Sequence, residues 1–349
     1  MAKTKDDCRA IDEDFLKEFI DGKFSGFTEL VKKHPELCLC FRGNSNAVEI
    51  YINNFLVFKI NKNIKSEMVT IGFKLARYSK EWNKYAESLF TNYCFRPKKH
   101  PETNKIDDTF FNYLHCYNDE INILTKENIE VIYVSILKPI IKDFFSLGKK
   151  KDYFKDYKGI EHFKNNPYCE KTRQQQLFFT FKNTQDGYFI YDLEFNQQYR
   201  TKEEREAEKE KDSYSNNKPD ALAIKFKNGK PTRLAFIEIK SKAKALDGAS
   251  GIENHINGMI NYNQDKYKTR CKEAYKILDQ YRKIGLYNLE NNDIKEKDFN
   301  ENDLKKEILL IFTDDAIIEW GKDPYNHLRE KAKKIPIKLQ DCIICRYEE

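Results

Sequence analysis

The sequence predicts an α/β chain in two parts: an α+β region over residues 1–150, and a mixed sheet flanked by helices over 151–349. Three observations carry this. After residue 155 the elements change to the order helix, three strands, helix, strand. Two of those strands, 218–227 and 232–241, alternate in side-chain character and are joined across Asn228-Gly229. Both turn from apolar to charged at the ends that meet across this hairpin.

In the first part, Phe15, Phe19, Ile20, Phe27, Leu30 and Val31 recur at helical spacing over 12–34. Strands are expected over 36–41, 47–60 and 68–77, with Asn53-Asn54 as a hairpin turn inside the second. Residues 79–93 read as a helix, and 96–108, with Pro97 and Pro101, as a loop. The β-branched run 130–137 predicts a strand, and Pro139 the start of a short helix to about Leu147.

In the second part, Asn166-Pro167 caps and opens a helix to about Gln176. The stretch 177–182 is open between helix and strand. A turn over 183–187 leads into a strand over 188–195. Residues 198–217 are almost wholly charged or polar and read as a solvated helix or loop. Beyond the hairpin, 250–284 is helical and 308–313 a short apolar strand.

Composition bounds the function. With 40% hydrophobic residues, the chain of 349 has material for cores and is not of disordered type. The net charge of +6, from 62 basic and 56 acidic residues, permits a polyanionic partner without requiring one. No apolar run reaches about 18 residues and the N-terminus lacks a secretory signal, so a cytoplasmic protein without a membrane is expected. Nine scattered cysteines argue against a disulfide framework. The single CxxC, Cys342 to Cys345, has no second pair to complete a zinc site. Buried reduced thiols on strands are the expectation.

The chemistry lies in Lys218-Pro219-Asp220 and in Phe236-Ile237-Glu238-Ile239-Lys240. On an extended strand Glu238 and Lys240 share one face. Leu222, Ile224 and Phe226 alternate in phase with Asp220; Leu234 and Phe236 do so with Glu238. A two-residue loop at Asn228-Gly229 alone pairs 220 with 237 and splits the carboxylates between faces. An odd loop or a bulge pairs 220 with 238 and brings them together. Two carboxylates and an ammonium there suit a hard divalent cation: Asp220, Glu238 and the Ile239 carbonyl as oxygen ligands, Lys240 orienting water and offsetting charge. Against this stands the ordinary alternative of a surface Glu–Lys pair.

This arrangement resembles the PD-(D/E)xK nuclease superfamily, whose restriction-endonuclease-like core runs helix, three antiparallel strands, helix, strand. The resemblance covers roughly residues 160–315. It implies that Asp220, Glu238 and Lys240 are catalytic, with Mg²⁺ or Mn²⁺ as cofactor. Many members add a glutamate on the first helix; Glu170 matches it, with Gln174 one turn on. Asp192 and Glu194 share a strand face opposite Phe189 and Tyr191, and are either exposed or drawn to the metal. Lys242 and Lys244 continue the basic face as phosphate contacts or a solvated strand end. Ser250 caps the second helix, where its amides can meet an anion. His255 reads as structural, since the metal mechanism needs no histidine base.

The resemblance implies a divalent-metal-dependent endonuclease acting on DNA, in restriction, repair or phage defence. Residues 1–150 would serve dimerisation, sensing or substrate binding. Two alternatives stay open: an effector nuclease gated by a ligand or partner on the N-terminal part, and a catalytically inactive nucleic-acid-binding protein of the same fold. A homodimer is among the expected assemblies.

Overall fold

Strand patterns within residues 37–72, and over 187–193 and 221–240, set up two sheets, each in its own unit of the chain. The computed structural model describes residues 9–52, 55–62, 66–72, 88–89, 91–97, 113–139, 141, 170–193, 219–240, 252–260, 262, 264–289, 292–313 and 342–347. The chain divides into Arg9–Cys169 and a second unit made of Glu170–Glu349 with Met1–Cys8. No described helix is long and apolar enough to cross a membrane.

The first unit opens with α1 (Glu13–Ile20) and α2 (Ser25–Lys33), where one helix was expected. Asp12 caps α1 by accepting from the Phe15 amide at 2.7 Å. The break falls at Gly22, where a Cβ would lie 2.7 Å from the Glu18 Cα. Phe24, just past it, packs against Phe15, Phe19 and Phe27.

Next come β1 (Leu37–Arg42), β2 (Ala47–Ile52), β3 (Phe55–Lys62), β4 (Glu67–Gly72), β5 (Arg96–Pro97) and β6 (Tyr113–Tyr117). They form an antiparallel sheet in the order β1-β2-β3-β4-β6-β5. Leu39, Ile50, Phe58, Ile71 and Leu114 align on the face that meets Phe27 of α2. Cys40, Glu49, Lys59, Thr70 and His115 align on the other. Residues 53 and 54, the expected turn, lie outside the described residues.

The expected strand over 130–137 is a helix. Here α3 (Lys126–Val131) is capped by Thr125 and runs on through a π turn, Ile132–Leu137. Ile129, Ile132, Tyr133, Ile136 and Leu137 are buried at helical spacing, and this burial overrides the β-propensity of the run. Pro139 continues that helix instead of opening one. The π turn ends one residue short of this proline, with Lys138 between, and the proline has no amide to donate.

Glu49 shows how the polar face is held. Its carboxylate accepts from Arg42 Nε at 3.0 Å, Lys59 Nζ at 2.7 Å and the Tyr51 hydroxyl. Burial pushes its pKa up, but Arg42, Lys59 and Tyr51 outweigh that and hold it down at about 2, against 4.5 for a free glutamate. A value depressed in the folded state stabilises above the unfolded value and is lost as pH falls through the folded one. The β2–β3 pairing is therefore expected to weaken between pH 4.5 and 2. At neutral pH this contributes up to about 3 kcal/mol. Amide exchange on wild type and Glu49→Gln checks this: the variant should be less protected at neutral pH and nearly flat across the acid range.

The second unit follows the expected order of elements, except that the one helix expected over 250–284 is two, Ile252–Ile260 and Gln264–Lys283. It holds α4 (Glu170–Thr180), β7 (Gly187–Leu193), β8 (Ala221–Lys227), β9 (Lys230–Lys240), α5 (Ile252–Ile260), α6 (Gln264–Lys283) and β10 (Lys305–Thr313). A further strand outside the expected order of elements, β11 (Cys342–Tyr347), carries the CxxC pair. The sheet order is β11-β10-β9-β8-β7, with β7, β8 and β9 antiparallel and β9, β10 and β11 parallel. The stretch left open over 177–182 is helical to Thr180. Both faces of the middle strands are buried, as a strand paired in parallel between covering layers requires. Cys38, Cys40 and Cys116 are buried thiols on strands, in no disulfide, as expected, while Cys271 is buried on α6.

Candidate active site at the ends of β8 and β9

The hairpin turn is two residues long. Asn228 (φ 50°) and Gly229 (φ 73°) take the left-handed conformations of a type I′ turn. Left there, the register would pair Asp220 with Ile237. A β-bulge corrects it. Phe226 pairs with Pro231, but Lys225 pairs with Arg233, so Thr232 is the extra residue. The Thr232 hydroxyl donates to the Lys225 carbonyl at 3.0 Å, tying the bulge to the facing strand. Beyond it Ala221 pairs with Ile237, and the next position sets Asp220 opposite Glu238 on one face.

Asp220 is held by two donors. Gln174 Nε2 of α4 donates to Oδ1 and the Ile239 amide to Oδ2, both at 2.7 Å. The amide and carbonyl of one extended residue point the same way, so the Ile239 carbonyl also opens towards Asp220. Glu238 is 2% exposed and Lys240 5%. Lys240 Nζ donates to Glu238 Oε1 at 2.5 Å. His255 Nδ1 of α5 lies 2.7 Å from that same oxygen. The other oxygen, Oε2, is buried with no hydrogen-bond partner among the described residues.

Asp220, Glu238, Ile239 and Lys240 are thus brought together. Glu170 begins α4, its side chain outside the described residues, and the described contact from this helix is made by Gln174, one turn on. Glu194, Lys242, Lys244 and Ser250 also lie outside the described residues. Asp192 is placed differently from expectation. Ile190 pairs with Ala223 but Asp192 with Leu222, so a second bulge, at Tyr191, rotates Asp192 onto the face of Phe189 and Leu222. Leu222 in turn pairs with Phe236, so Asp192 joins the Glu238 face, 1% exposed.

Two residues were under-read. Gln174 sits four residues after Glu170, a spacing that puts both on one helix face. His255 comes to Glu238 because the crossover from β9 to the parallel β10 carries α5 over the end of β9.

The residues present fit a hard divalent cation. Among the described residues no three of His, Cys, Asp and Glu gather as a metal-holding group. Mg²⁺ asks for less, being held by one or two carboxylates and keeping several waters. Asp220, Glu238 and the Ile239 carbonyl are all-oxygen, and the partnerless Glu238 Oε2 is a buried acceptor of the kind a cation compensates. No family model, curated protein or solved structure matches this chain.

Proposed function

We propose that the second unit is a divalent-metal-dependent nuclease, hydrolysing phosphodiester bonds at Asp220, Glu238 and Lys240, with DNA as the first substrate to test. One observation carries it: the Thr232 bulge turns an even hairpin into the register that sets Asp220 opposite Glu238. The order helix, three antiparallel strands, a helical crossover made of α5 and α6, then a parallel strand, close to that of the PD-(D/E)xK superfamily, supports the same reading.

Asp220, Glu238 and the Ile239 carbonyl would hold Mg²⁺ or Mn²⁺. When bound, such an ion makes a water more acidic and offsets charge on the phosphate. The chain's own groups prepare the site. Gln174 and the Ile239 amide fix both oxygens of Asp220. Lys240 sets one positive charge against Glu238 and places an ammonium on the face where phosphate charge would grow.

Purified protein incubated with plasmid, single-stranded DNA and RNA, in Mg²⁺, Mn²⁺, Ca²⁺ or EDTA, tests this. Cleavage is expected with Mg²⁺ or Mn²⁺ and none with Ca²⁺ or EDTA. Cleavage undiminished by EDTA, or none in any metal with any added ligand, would sink it. Activity only with an added ligand would assign the first unit a gating role.

A further inference from the structure

We propose that His255 is a positioning residue of this site, bracing the Glu238 carboxylate so that its second oxygen is presented to the cation. This rests on the metal-site reading above and names a residue outside the three that define it. The 2.7 Å contact to a carboxylate oxygen requires the proton on His255 Nδ1, so the ring donates there. Lys240 donates to the same oxygen. Two donors on Oε1 fix the carboxylate's rotation and leave Oε2, buried and partnerless, as the oxygen on offer.

The two donors are not equivalent. Lys240 rides on the same strand as Glu238, two residues away, and moves with it. His255 belongs to α5, where Ile256 (1% exposed) and Met259 (0%) are buried. Its ring therefore ties Glu238 to a second, independently packed element. Direct ligation by His255 fits less well, because its Nδ1 lone pair is protonated and hard cations prefer oxygen. Outer partners of this kind hold ligands in place, and their loss typically weakens metal affinity by about 10- to 100-fold.

The test is calorimetric titration of the full chain with Ca²⁺, so that turnover plays no part. The variants are Asp220→Ala, His255→Ala, His255→Asn and His255→Gln, each checked for folding by circular dichroism. His255→Ala is expected to weaken Ca²⁺ binding by about tenfold or more. Asn places its amide nitrogen the same number of bonds from Cα as Nδ1, so His255→Asn should recover most of the affinity, and His255→Gln should not. Wild-type affinity in His255→Ala, with Asp220→Ala impaired, overturns the bracing role and leaves the metal site standing. Equal affinities in the Asn and Gln variants overturn it too, and they decide the matter if the Ala variant fails to fold. A wild-type chain without Ca²⁺ affinity takes the metal-site reading down with it.

Discussion

Asp220→Ala, Glu238→Ala and Lys240→Ala should each lose more than about 99% of metal-dependent cleavage while keeping the wild-type circular dichroism spectrum. The three losses have different physical origins. Asp220 accepts from α4 and from the β9 backbone, so its removal takes away a proposed ligand and also the acceptor shared by the Gln174 amide and the Ile239 N–H. Removing Glu238 takes the buried carboxylate and leaves Lys240, at 5% exposure, without the oxygen it donates to. Lys240→Ala spares both carboxylates and leaves His255 on Glu238 Oε1, removing the positive charge and one of that oxygen's two donors, so most metal binding should survive while turnover falls. Cleavage at the wild-type rate by all three would end the assignment. A Lys240→Ala variant that lost metal binding as fully as Glu238→Ala would make the lysine a prop for the ligand.

The largest effect on stability is expected at α6. Arg270 and Glu273 form an ion pair one turn apart, each 1% exposed. Tyr191 lies near them; burial first, and then the Glu273 charge, push its phenol well above the usual range. Breaking a buried pair by deleting one partner costs about 3–5 kcal/mol, because the remaining charge stays desolvated. Glu273→Ala should therefore lower the unfolding free energy of the second unit by about that amount, read as a lower denaturant midpoint at unchanged slope. The double variant Arg270→Met with Glu273→Leu should recover most of it, since replacing both partners by apolar groups of similar volume is often near neutral. A double variant as unstable as the single one would show that the pair's surroundings need the charges themselves.

What could be read beforehand follows from where each signal resides. Asp220, Glu238 and Lys240 stand out because side-chain period and turn length are local, and parity alone required a bulge or an odd loop. Which of the two occurs depends on Thr232 reaching the Lys225 carbonyl, a contact across strands. The same limit hid Asp192, whose face is set by a bulge at Tyr191 that no spacing announces. The run 130–137 misled because its β-branched residues are also spaced for a helix, and burial of Ile129, Ile132 and Ile136 decided between them. His255 needed the crossover geometry, which lies between elements and not within one.

The Thr232 bulge also sets which insertions and deletions the hairpin can absorb. Side chains alternate with a period of two, so an even change in residue number between Phe226 and Leu234 preserves the face of every residue beyond it. An odd change must be matched by the loss or gain of a bulge: deleting Thr232 alone would remove the bulge and leave a regular two-residue hairpin, with Lys225 still opposite Arg233 and Asp220 still opposite Glu238. Hairpin variants in descendants of this chain that keep the two-residue turn should then differ in length by twos, or gain or lose a bulge with each odd change. The spacing from Asp220 to Glu238 thus behaves like a parity bit that records the bulge, even where the two-residue hairpin carries one and odd where it does not.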